Sequence, residues 1–68
     1  VDPELIAAAI TARRRRLGPY RPRGHRNSFR EKDLASLARA GFNYSIASWV
    51  IDVETIDHLE KEVGFTNW

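Results

Sequence analysis

Sixty-eight residues and 7.8 kDa make one small domain at most, and a chain of this size buries only about 60% of the surface it exposes when unfolded. At 43% apolar and 29% charged, with two Trp, two Tyr and three Phe, the composition is that of a globular protein, and the absence of Cys excludes a zinc finger and a secreted disulfide scaffold. The net charge of +2 conceals a division: residues 1–12 carry −2, residues 13–32 carry +8, residues 33–51 balance, and residues 52–68 carry −4.

Such polarity costs self-repulsion unless an anionic partner answers it. The +8 stretch, with eight Arg and Lys32 against Glu31, is therefore the first functional suspect. No apolar run reaches the roughly 20 residues of a membrane span, and no signal-peptide pattern opens the chain. A cytoplasmic setting is expected. Val1-Asp2-Pro3 at the start, with no Met anywhere, reads as a piece of a longer, multi-module chain.

Asp2-Pro3-Glu4 predicts a helix start: an acceptor at the N-cap, a preset φ at the first helical position, and a negative charge on the positive end of the dipole. Leu5, Ile6, Ala9, Ile10, Ala12 and Leu17 hold an apolar stripe, and Gly18-Pro19 stops the helix, giving a span of about 3–17. Arg13, Arg14, Arg15 and Arg16 fall in its last turn, where cations suit the macrodipole. Gly18 to Asn27, rich in Pro, Gly and Arg, describes an irregular cationic loop.

Ser28 with Glu31 predicts a capping box opening a second helix over about 29–40. Leu34, Leu37 and Ala38 form its buried stripe, and Gly41 supplies a left-handed position with Phe42 folding back. Asn43 caps a third helix over about 44–52 through Ile46, Trp49, Val50 and Val53. Asp52 either caps a fourth helix at about 53–63, with Val53, Ile56, Leu59 and Val63 inward, or helix three runs on through the acidic stretch. Gly64-Phe65 reads as another C-cap. The fold class is all-α, a small three- or four-helix bundle forming a single helical domain.

Catalysis finds no support in the residues. His25 lies in a loop and His58 on a polar face, with no metal-ligand spacing and no glycine-rich phosphate loop, and Glu54, Asp57 and Glu60 read as a solvated helix face. No catalytic residue, cofactor or metal is expected. A helix-turn-helix over Leu34 to Val50 fits poorly. Leu37 and Ala47 stand where the motif has a small and an apolar residue, and Tyr44, Ser45 and Ser48 offer no fork for base edges.

Arg13, Arg14, Arg15, Arg16, Arg21, Arg23, Arg26 and Arg30 are a stronger signal. Guanidinium forks match phosphate and carboxylate oxygens, and Tyr20 and Phe29 can stack on bases. Five such arginines on single-stranded phosphates give log K against log salt a slope of about −3.5. The competing reading is a solvated helix end paired with the acidic C-terminal stretch. A nucleic-acid binder acting alone and a structural interaction domain docking through Phe42, Trp49 and Trp68 stand as alternatives.

Arg13-Arg-Arg-Arg-Leu-Gly-Pro-Tyr-Arg-Pro, Arg30-Glu-Lys-Asp-Leu-Ala-Ser-Leu-Ala-Arg-Ala-Gly-Phe-Asn-Tyr-Ser-Ile-Ala and Val50-Ile51 together resemble the C-terminal module of the RecX family of bacterial regulators. The resemblance covers residues 4–52. It implies a set of three-helix modules lying in the groove of the RecA–DNA filament, restraining recombinase and coprotease activity in DNA repair and the SOS response, without catalysis. It carries Leu34, Leu37, Ala38, Gly41, Phe42, Ile46 and Val50 over as structural core, and the eight arginines as a general basic character. Asn43 stands where Ser or Thr is common in the family. The partners implied are the RecA filament, single- or double-stranded DNA and neighbouring helical modules of the same chain, with no membrane.

Overall fold

A computed structural model describes residues 2–22 and 24–64. Among them are four helices, α1 (Pro3–Arg15), α2 (Arg30–Arg39), α3 (Tyr44–Asp52) and α4 (Ile56–Val63), with one 3-10 turn at Gly18–Tyr20 and no strand. The architecture is an all-α small bundle. α3 is central, packing on α1, α2 and the 3-10 turn, while α4 lies against α1. No helix among the described residues is long and apolar enough to cross a membrane.

α1 begins as its sequence requires, with the Asp2 carboxylate accepting from the Glu4 amide at 2.8 Å and Pro3 in the first turn. Ala8, Ala9 and Ala12 are wholly buried in one cluster with Ala47, Val50 and Ile51 of α3. Small side chains on these facing helices permit a close approach of their axes. Ile10, expected in the stripe, is 36% exposed instead. The helix also ends before Leu17. Arg16 turns left-handed (φ 57°), the Leu17 amide donates to the Ala12 carbonyl at 2.8 Å, and the Arg16 amide donates to Arg13 at 3.3 Å. This pattern is a Schellman cap built on arginine rather than on the usual glycine.

The expected Ser28–Glu31 capping box does not form. Residues 26–29 already lie in a turn, in which the Phe29 amide donates to the His25 carbonyl at 3.2 Å, and α2 starts from Phe29 without a side-chain cap. A residue inside a turn cannot take the extended conformation that an N-cap needs. Glu31 stays exposed beside Arg30.

Burial in α2 centres on Asp33, Leu34 and Leu37. At 100° per residue Ala38 lies roughly 90° from the middle of that arc, and it is exposed, which corrects its placement in the core. Gly41 (φ 102°) completes the helix end, its amide donating to Ala38 at 3.0 Å and that of Phe42 to Leu37 at 3.1 Å. Phe42 and Ile46 pack half-buried against the core, and Leu34, Leu37 and Val50 lie within it.

Asn43 caps α3 by accepting from the Ile46 amide at 2.9 Å. The chain then leaves helical geometry at Val53 (φ −57°, ψ 141°), and α4 is a separate helix. Its cap is Thr55, whose hydroxyl oxygen accepts from the His58 amide at 3.0 Å, and not Asp52. Val53, Leu59 and Val63 are buried as their spacing predicts, whereas Ile56 at the first turn is 39% exposed. Trp49 sits at the rim, its ring edge-on to His58 at 6.0 Å. Phe65 and Trp68 lie outside the described residues.

Candidate functional site

The arginines divide by what holds them. Arg21 is half-buried and tied to a buried acid. Its Nε donates to Asp33 Oδ2 at 2.8 Å and its Nη2 to Oδ1 at 2.6 Å, while the Gly18 amide donates to Oδ2 at 2.9 Å. Asp33 is wholly buried. Burial by itself pushes this carboxyl up, but the Arg21 fork and the Gly18 amide together hold it below the ordinary carboxylate value, and Asp33 in turn raises the guanidinium of Arg21. The back of that guanidinium covers the Phe29 ring, 4.1 Å from its centroid. Arg21 and Phe29 are thus engaged with each other rather than turned outward.

Arg26 and Arg30 clasp the end of α3. Arg26 donates from Nη2 to the carbonyls of Ile51 and Val53 and from Nη1 to that of Glu54 at 3.1 Å. A cation there answers the unsatisfied carbonyls and the negative end of the helix dipole. Arg30 meets Asp52 with its own fork, Nε to Oδ1 at 2.7 Å and Nη2 to Oδ2 at 2.8 Å. The Asp52 hydrogen bonds raise the pKa of Arg30, and the Asp52 carboxyl is lowered. Tyr20 is likewise taken up: its hydroxyl donates to Glu60 at 2.9 Å, and burial followed by that contact pushes the phenol up.

Arg21, Arg26 and Arg30 are thus held within the fold rather than turned freely outward, and for Arg26 and Arg30 most of the partners, Asp52, Val53 and Glu54, stand at the start of the acidic stretch, as the competing reading has it. Arg23 lies outside the described residues. Arg14, Arg15 and Arg16 remain. They are exposed, carry no ion pair among the described residues, and Arg14 and Arg15 border a shallow hollow of about 220 Å³ with Thr11. Arg13 is exposed beside them, and its charge reaches the Tyr20 phenol. The end of α1 thus gathers positive charge at one corner, where the exposed forks of Arg14, Arg15 and Arg16 suit phosphate or carboxylate oxygens.

Asp33 is the residue that sequence reasoning missed. A carboxylate in the first turn of a helix reads as a solvated favourable charge on the dipole, and its neighbour Lys32 strengthens that reading. The available signal was arithmetic: among so many arginines near a helix this short, one buried acid can be neutralised at close range. Among the described residues no group of three or more His, Cys, Asp or Glu is placed to hold a metal ion.

No protein-family model and no solved structure matches the chain. The regulatory protein RecX of Myxococcus xanthus (strain DK1622) is 57% identical to it over 50 residues, which are 72% of this chain and 27% of that protein. The chain thus spans about a quarter of the length of the curated relative it matches. An identity this high over most of the chain goes with a shared fold, and the chain belongs to the RecX family of regulatory proteins.

Proposed function

We propose that the chain is a non-enzymatic regulatory module that binds the RecA nucleoprotein filament and restrains its recombinase and coprotease activity, in the cytoplasm and in the service of DNA repair and the SOS response. Neighbouring helical modules of the same protein extend the contact. The observation that carries this reading is the exposed corner of Arg14, Arg15 and Arg16, set beside membership of the RecX family. A filament offers both phosphate and acidic protein, and guanidinium forks serve either.

Co-sedimentation with RecA filaments on single-stranded DNA, at low and at high salt, tests it. The chain is expected in the pellet at low salt and in the supernatant at high salt, because contacts between exposed charges are screened. With RecA omitted, three arginines on single-stranded phosphates give a slope of log K against log salt of only about −2. Equal binding to DNA with and without RecA would support a nucleic-acid binder that acts alone.

A further inference from the structure

The turn at residues 24–27 and the end of α3 border a cleft of about 370 Å³ lined by Gly24, Arg26, Asn27, Arg30, Ile51 and Asp52. Two guanidinium groups enter it. The Arg26 hydrogen bonds go to main-chain carbonyls of residues 51, 53 and 54, so its charge is met by helix-end dipoles and not by a bonded carboxylate. Arg30 is met by Asp52 in fork geometry, with the Tyr44 side chain and, at 3.4 Å, Glu31 as further partners. The Arg30 and Asp52 side chains are 36% and 45% exposed, so the pair stands at the mouth of the cleft.

A planar guanidinium takes two oxygens of a phosphate in the same way as two oxygens of a carboxylate. Asp52 fills the Arg30 fork with both of its oxygens. A phosphate on that fork has further oxygens to spare, and Arg26 and the Asn27 amide line the same cleft. The Arg26 charge also helps, after Arg30, to lower the Asp52 carboxyl, in keeping with both guanidinium groups lining one cleft. A partly exposed ion pair contributes little net stability, somewhat more when it is two-pronged as here, so opening it is a cost that phosphate contacts can offset.

We propose that this cleft is a phosphate-binding site in which Asp52 is the built-in competitor, displaced from Arg30 when phosphate enters. The site goes beyond the filament reading and needs neither RecA nor the Arg14–Arg16 corner. Inorganic phosphate and a nucleic-acid backbone share the required chemistry, and two probes separate them.

The test titrates the whole chain with sodium phosphate, followed by NMR at the side-chain N–H signals of Arg26 and Arg30, and with a short thymidine oligonucleotide, followed by fluorescence anisotropy. Asp52→Asn is expected to tighten phosphate binding about tenfold, roughly one step on the affinity scale. Asp52→Ser supplies a second variant, thermal melts confirm that both fold, and Arg30→Gln added to Asp52→Asn erases the gain. Tightening with both probes assigns the site to the nucleic-acid backbone, and tightening with inorganic phosphate alone assigns it to small phosphates. Unchanged affinity for both probes in both folded variants overturns the proposal and leaves the filament reading standing.

Discussion

Arg21 and Asp33 meet through two parallel hydrogen bonds of 2.8 Å and 2.6 Å, with the Asp33 side chain wholly buried and that of Arg21 19% exposed. The pair ties the loop after α1 to the first turn of α2, and the Gly18 amide joins it from the 3-10 turn. Removing one partner leaves an uncompensated buried charge or an empty fork, which costs about 3–5 kcal/mol. Small domains rarely hold more than about 5–15 kcal/mol in total. Arg21→Ala is therefore expected to be largely unfolded by circular dichroism at 37 °C. The double variant Arg21→Met with Asp33→Leu should recover most of the helicity but not all, because the Gly18 amide loses its acceptor.

Acid should destabilise the fold through the same carboxylate. The native pKa of Asp33 lies below the unfolded value of 3.8, so the contribution is complete above that value and disappears as pH falls through the lower native one. Asp52, also lowered, acts in the same direction. Urea melts from pH 6 to about pH 2 should show stability falling at the acid end. Asp33→Asn should flatten that part of the curve.

Gly18 should be the least replaceable of the described glycines. A Cβ there would stand 3.0 Å from the Ile51 Cα, and the residue is left-handed at φ +56°, whereas nothing lies within 4 Å of a Cβ at Gly41. Gly41→Ala carries only the conformational cost, about 1–2 kcal/mol. Gly18→Ala adds a backbone clash and should lose at least about 2 kcal/mol. Chemical denaturation of the two variants side by side gives the order.

Arg16 offers the opposite sign. It holds a left-handed conformation that glycine adopts without strain, so Arg16→Gly should stabilise the chain by about 0.5–1 kcal/mol. For a domain of this length that is a rise in Tm of a few degrees, on the order of 4–8 °C per kcal/mol. Differential scanning calorimetry measures it directly. A fall in Tm would mean that the Arg16 side chain has a structural role its exposure does not reveal.

What could be read from the sequence was local. The starts of α1 and α3 and the Gly41-Phe42 ending depend on hydrogen bonds spanning two to five residues, and those residues announce themselves. The contacts that redirect the chain are distant: Arg21 to Asp33 across 12 residues, Arg30 to Asp52 across 22, and Arg26 to Val53 across 27. Residues 26–29, which lie among these pairings, form a turn, and that turn removes the Ser28 capping box even though its residue pattern is intact. The same pairings divide one basic stretch into two populations. Charge counting could not separate guanidinium groups that hold the fold from those turned to solvent, because their side chains are chemically identical.

Filament binding is assigned to the outward arginines at the end of α1, and the direct measurement is RecA-driven strand exchange in the presence of the chain carrying Arg14→Glu, Arg15→Glu and Arg16→Glu. Arg21, named with the docking residues on sequence grounds, stays intact in that variant because reversing its charge would break the Asp33 pair. The triple variant should keep its helicity by circular dichroism and lose inhibition of strand exchange. Undiminished inhibition by the folded variant would contradict the account.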